Sequence, residues 1–206
     1  MQYSDDEQVE KLKAWWKTYG NALVVGVLLG LGLLYGGKYY KRHTVEQSIQ
    51  ASMVFDQMIY AERQNDKAGL RRLGSELTEK YKSTPYAGLA ALVMSRDSFN
   101  ANDRTRAEAQ LTWAMDNAKE EAVREAARLR LGRVLLDANK VDRVLELLTK
   151  EPLAGFEFEH FELKGDALVQ KGQKEQARQA YQTALSNSTL AGEYVSVVRM
   201  KLDNLG

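Results

Sequence analysis

The sequence predicts an all-α chain: an N-terminal transmembrane helix, a short solenoid of about four helix pairs, and a C-terminal capping helix. Three observations predict it. About twenty residues from Thr18 to Gly37 contain no Asp, Glu, Lys or Arg, in a chain that is 28% charged. Beyond that run, apolar residues recur three and four positions apart without sustained alternation, which is the helical rather than the strand period. Turn-forming residues then divide the remainder into pairs of about 34 residues, a length that calls for a repeat.

Residues 1–19 form an N-terminal tail. Ser4 and Glu7 have the spacing of a capping box, and Val9, Leu12 and Trp16 fall on one helical face. Residues 20–40 form the expected transmembrane helix. Eighteen helical residues rise about 27 Å, close to the ~30 Å hydrocarbon core of a bilayer. Trp15, Trp16 and Tyr19 precede the run, and Tyr35, Tyr39 and Tyr40 follow it. Such rings favour the headgroup level. Lys17 and Lys38 stand just outside, with stems long enough to snorkel. The acidic start at Asp5, Asp6 and Glu7 is unlike a cleaved signal peptide, which begins basic. Gly26 with Gly30, and Gly32 with Gly36, would let another membrane helix approach closely. Lys11, Lys13 and Lys17 before the run balance Lys38, Lys41 and Arg42 after it, so charge leaves the orientation open.

Residues 41–206 form the helical domain, long enough for a real core. With 29 basic and 28 acidic residues well mixed, the net charge is +1. That argues against nucleic acid, which demands a basic face. The chain has no Cys, so disulfides and thiolate metal sites are excluded. Two prolines, Pro85 and Pro152, leave room for long helices.

The first helix of the domain is expected from Thr44 to about Arg63. Asp66 reads as an N-cap for a helix carrying Leu70, Leu73, Leu77 and Tyr81. Thr84-Pro85 ends it. Further helices are expected over Tyr86–Asn100, Arg104–Asn117, Glu121–Ala138, Val141–Lys150, Phe156–Lys171 and Lys174–Leu185. A last one starts near Thr189, with Val195, Val198, Leu202 and Leu205 on one face.

The window Phe161 to Leu185 resembles a tetratricopeptide (TPR) repeat. Gly165 stands where helices touch and Gly172 at the turn, and Ala177, Tyr181, Ala184 and Leu185 follow in the second helix. Lys164 departs from the pattern, which prefers Leu there. Leu131-Gly132, Leu135, Val144 and Leu148 fit more weakly. Ser95, Phe99, Ala107, Leu111 and Ala114 fit loosely, and 44–82 fits only in outline. The resemblance implies a face built from first helices that binds other proteins. Its expected lining is Leu92, Arg96 and Phe99; Leu129, Arg133 and Leu136; and Glu162, Asp166 and Val169.

The order of parts is similar to that of the bacterial YfgM family: the acidic tail, the Gly-rich run, Lys38-Tyr39-Tyr40, the window from Glu162 to Tyr181, and the ending Met200 to Leu205. The resemblance spans essentially the whole chain. It implies an inner-membrane, single-pass protein with a cytoplasmic N-terminus and residues 41–206 in the periplasm. It further implies an ancillary subunit of the SecYEG translocon that works with a membrane-anchored periplasmic chaperone of the prolyl-isomerase type, and possible contact with newly translocated chains.

Chemistry is not expected: no enzyme, no cofactor, no metal and no catalytic residues. His43 and His160 lie far apart, and Glu157-x-x-His160 lacks the second copy and the further Glu residues that a di-iron site needs. Gly36-Gly37-Lys38 lacks the remainder of a phosphate loop. Two rival readings stand beside the adaptor: a self-associating membrane scaffold using the glycine faces, and a tether that sequesters a cytoplasmic regulator.

Overall fold

The computed structural model describes residues 3–187 and 193–206; the side chains at 3–6, 22, 32–40 and 193 lie outside that description. Nine helices occur among the described residues, with no strand. They are α1 (Tyr3–Arg63), α2 (Lys67–Lys80), α3 (Pro85–Asn100), α4 (Arg104–Asn117), α5 (Glu121–Asp137), α6 (Val141–Leu147), α7 (Glu157–Gln170), α8 (Lys174–Ser186) and α9 (Glu193–Asp203). The chain divides into two units, Met1–Gln47 and Ser48–Gly206.

The expected transmembrane helix at 20–40 is not borne out. Among the described residues, no helix is long and apolar enough to cross a membrane. The uncharged run lies inside α1, and Gly20, Asn21, Gly26 and Gly30 dilute its apolar character. Leu23, Val24, Val25, Val27, Leu28 and Leu29 are all exposed. The expected capping box at Ser4, and the glycine pair Gly32 and Gly36, fall outside the described side chains. The separate helix expected from Thr44 is instead the end of α1, because no Gly or Pro interrupts residues 41–63.

In the second unit the helices pack in sequence, each on the next. First helices also touch first helices, α3 on α5 and α5 on α7. One turn is repeated at every pair. Asn65, Asn102, Asn139 and Gly172 all have positive φ, between 58° and 79°. Only Gly, and to a lesser degree Asn, enters that region readily. At each turn this residue and the next donate N–H bonds back into the first helix. Asn102 N–H reaches Phe99 O (2.9 Å) and Asp103 N–H reaches Ser98 O (2.9 Å). The same pattern recurs at Asn65–Asp66, Asn139–Lys140 and Gly172–Gln173. It satisfies carbonyls that a helix end otherwise leaves orphaned. Asp66 and Asp103 then cap α2 and α4, accepting from Gly69 N–H (2.9 Å) and Arg106 N–H (3.0 Å).

Counting seven residues back from each turn gives Met58, Ser95, Gly132 and Gly165. The last three are small: at Gly165 the second helix of the pair crosses, and at Gly132 the first helix of the next pair does. A methyl group on Gly165 would overlap the Tyr181 ring. On Gly132 it would stand 2.6 Å from Leu163 Cδ2, the end of a flexible side chain. Met58 is fully buried and breaks the small-residue rule, so the first pair is a repeat in backbone geometry only.

The core follows the pairs in three clusters. Met58, Leu70, Leu73, Leu77 and Met94 form one; Leu111, Leu129, Leu131, Leu135, Val144 and Leu163 form the next; Phe158, Leu168, Tyr181, Val198 and Leu205 form the last. A buried charged group joins α5 to the segment after α6. The Arg128 guanidinium donates to the carbonyls of Leu147 (3.1 Å), Lys150 (2.8 Å) and Glu151 (3.2 Å), and pairs with buried Glu125. α6 is correspondingly short, ending at Leu147 rather than the expected Lys150.

His160 is buried, its Nδ1 has no partner, and its ring meets Phe161 edge-on at 5.0 Å. Burial, and then the Arg128 charge, hold it below the usual histidine pKa of 6.5, against weaker opposition from Glu125 and Glu151. The unfolded chain therefore takes up this proton more readily, and folding loses stability as pH falls through 6.5. Urea titrations at pH 7.5 and 5.0 should show a midpoint that drops with acid, and drops less in His160→Leu. At neutral pH, Gly165→Ala should cost about 2–3 kcal/mol by overpacking, whereas Gly26→Ala, which meets nothing within 4 Å, should cost nothing measurable.

Candidate functional interface

A groove of about 450 Å³ opens across the first helices of the first three pairs. Phe55 of α1 forms one wall. Leu89, Leu92, Val93, Arg96 and Phe99 of α3 line the floor, and Arg130, Arg133 and Val134 of α5 form the other wall. Leu111 of α4 closes it from behind. The surface is mainly aliphatic and aromatic, with three guanidinium groups over it, the composition of a site that holds a polar-tipped apolar partner.

Local structure fixes the side chains. Arg104 Cζ lies 5.4 Å from the Phe99 ring centre, a cation–π contact that holds the ring at the groove's edge. Arg96 pairs with Glu62 of α1, and Arg133 reaches Glu162 of α7 at 3.6 Å. Arg130 faces Arg96 and Arg133 and makes no ion pair with any described residue. Burial against the groove wall, and then those two like charges, hold its pKa below the usual arginine value; it is still a cation at neutral pH.

Of the expected lining residues, Leu92, Arg96, Phe99 and Arg133 come together in this groove. Leu129 does not: it is 2% exposed in the core, because α5 turns this position toward α4 and α7. Leu136 is half-buried against the same core. Val169 is exposed, away from the groove. Glu162 and Asp166 are engaged by α9. Lys201 Nζ donates to Glu162 Oε1 (3.0 Å) and Asp166 Oδ2 (2.8 Å), while Asp166 Oδ1 accepts from Tyr181 Oη (2.7 Å). The capping helix thus occupies the face that the third set of positions would present. Burial alone would lower the Lys201 pKa, but Asp166 and Glu162 outweigh it and raise it. Burial, then the bond to Asp166, pushes the Tyr181 hydroxyl up. Gly26 and Gly30 have open space around them, as a helix contact would need.

Several lining residues were missed, among them Phe55, Leu89, Val93, Arg130 and Val134, and so was Glu62, the partner of Arg96. Phe55 and Glu62 stand at −3 and +4 from Met58, where the small-residue rule would have found them had the turn at Asn65 been used as the anchor. Arg130 sits two before Gly132, a position filled by Val93 in the preceding pair and by buried Leu163 in the last; nothing in its spacing marked it.

Among the described residues, no group of three or more His, Cys, Asp or Glu side chains is placed to hold a metal. Glu157, half of the sequence's Glu-x-x-His pair, accepts from Gly155 N–H (2.8 Å) in the turn that precedes α7.

Helix pairs that stack on their neighbours, with a lined groove across the first helices, constitute a helical-repeat solenoid of the kind that binds other proteins. The chain belongs to the tetratricopeptide repeat-like domain family, whose model matches residues 13–206. A relative from Haemophilus influenzae, named ancillary SecYEG translocon subunit, is 28% identical over 207 residues, covering 100% of both chains. Relatives of the same name from Escherichia coli (28% over 202 residues) and Neisseria gonorrhoeae (29% over 205) each cover 98% of this chain and 97% of their own. The resemblance to the YfgM family therefore holds over the full length. No solved structure matches the chain significantly.

Replacing Lys201 with Met should leave Asp166 without its cation and Glu162 with Arg133 alone. A loss of about 1–2 kcal/mol in urea unfolding at pH 7 is expected, and a smaller one for Lys201→Arg. Because the folded pKa is raised, this contribution is full at neutral pH and is lost only as pH rises beyond the ordinary lysine value of 10.5. An unchanged midpoint at pH 7 would show that α9 is held by its apolar side chains alone.

Proposed function

We propose that this protein is a non-enzymatic ancillary adaptor of the Sec translocon, and that the groove between α1, α3 and α5 is where it holds a partner protein. The observation that carries the reading is the groove itself: an apolar floor rimmed by guanidinium groups, on a chain whose full-length relatives are named as translocon subunits. Association with the translocon would keep the protein at the inner membrane. On the YfgM resemblance, residues 41–206 lie on the periplasmic side. Their partner there is a prolyl-isomerase-type chaperone, a newly translocated chain, or both. Holding one such partner beside the translocon raises its effective concentration where chains emerge.

The test is copurification. Phe99→Asp with Leu89→Asp places two carboxylates on the groove floor without touching a turn or a helix crossing. The doubly substituted chain should keep its helical circular dichroism and lose at least ten-fold in recovery of translocon or chaperone. Full recovery with the substituted groove would move the partner site elsewhere. The side of the membrane is read separately. The chain has no cysteine, so Gln182→Cys, at an exposed position of α8, gives a single thiol. A membrane-impermeant reagent should label it in cells whose outer membrane alone has been permeabilised; labelling only after complete lysis would place the solenoid in the cytoplasm.

A further inference from the structure

We propose that the groove selects an apolar peptide segment carrying a carboxylate, with Arg130 as the residue that recognises the acid. The inference rests on the adaptor reading and gives its partner a chemistry. Three cations meet over one apolar floor. Two of them are already answered from within the chain, Arg96 by Glu62 and Arg133 by Glu162. Arg130 is not, among the described residues, and the charges acting on it are Arg96 of α3 and Arg133 of its own helix. Its position in the repeat is otherwise apolar, held by Val93 one pair earlier. Among the described residues, the groove thus carries one uncompensated positive charge inside an apolar surround. A basic segment would be repelled there. A neutral apolar segment would fill the floor and leave the guanidinium unanswered while stripping it of water. A segment with Glu or Asp on its apolar face fills the floor and supplies the missing anion. The fork of Arg130 can take that carboxylate through two parallel N–H bonds.

The groove's dimensions fit this occupant. About 450 Å³ is room for a few side chains rather than a folded domain. An exposed segment, such as a helix end or an unfolded stretch, is the object it can hold. Leu92 and Phe99 meet the apolar side chains, and Phe99 is kept in place by Arg104 from outside the groove.

The experiment uses the full-length purified chain and two fluorescein-labelled decapeptides of Leu and Val. One carries two Glu residues four apart; the other carries Gln at the same places. Fluorescence anisotropy should show the Glu peptide binding about ten-fold tighter than the Gln peptide. Arg130→Met should remove that difference while leaving the Gln peptide's affinity within two-fold. Arg130→Lys should restore part of it. Phe99→Ala should weaken both peptides alike. Equal binding of the two peptides overturns the proposal, as does a preference that survives in Arg130→Met. Displacement of the Glu peptide by anionic phosphatidylglycerol vesicles, with retention on neutral ones, would overturn it in favour of a lipid surface. The adaptor reading fails independently: it falls if the doubly substituted groove still recovers the translocon, whatever the peptides do.

Discussion

The second unit depends on a left-handed residue that returns at every pair. Asn65, Asn102, Asn139 and Gly172 are spaced 37, 37 and 33 residues apart. Each reverses the chain in the fewest residues while satisfying the carbonyls at the end of the first helix. The turn sets where the second helix starts, and therefore which residue seven positions earlier lies against it. From that one constraint follow the small residue Gly165 and the burial of Tyr181 over it. Asparagine at three of the four turns costs more backbone strain than glycine would, but it also constrains the unfolded chain more tightly.

The two ends of the array differ in how their faces are used. Toward the N-terminus, α1, α3 and α5 leave a groove open and, among the described residues, leave one cation unanswered. Toward the C-terminus, α9 lays Lys201 between Glu162 and Asp166, so the corresponding surface is satisfied from within. Terminal elements of helical repeats commonly cover an end that has no neighbour to bury it. Here the cover extends over a position that would otherwise face a partner. The acidic pair that a sequence reading assigns to binding is thus bonded within the chain, whereas the groove two pairs away holds a cation with no ion pair among the described residues.

Much of this architecture is legible in the sequence, because turn chemistry and helical period are local signals. Asn102-Asp103, Asn139-Lys140 and Gly172 mark their turns unaided, and the window around Gly165 and Tyr181 shows the repeat clearly. The first pair is obscured because Met58 fills a position where a small residue would have announced it, so Phe55 and Glu62 went unassigned. Leu129 and Leu136 were placed in the groove by an offset that holds for Leu92 and Arg133. A fixed offset does not register how far α5 rotates its stripe into the core. Arg130 could not be found by pattern, since its significance lies in what surrounds it and not in its spacing. The transmembrane assignment rested on a contiguous uncharged run, whereas among the described residues no helix is long and apolar enough to cross a membrane.

Arg128 has one further consequence. Its guanidinium ties α5 to the carbonyls of Leu147, Lys150 and Glu151 where α6 has already ended. α6 has only seven residues, yet Val144 and Leu148 lie in the same apolar core as Leu163 and Ala167 of α7. The junction is therefore apolar inside, with buried charge-assisted bonds added where the helix has run out. Withdrawn from water, those bonds are screened by salt far less than the surface ion pairs elsewhere on the chain. The end of this short helix is thus fastened by its neighbour rather than by its own length.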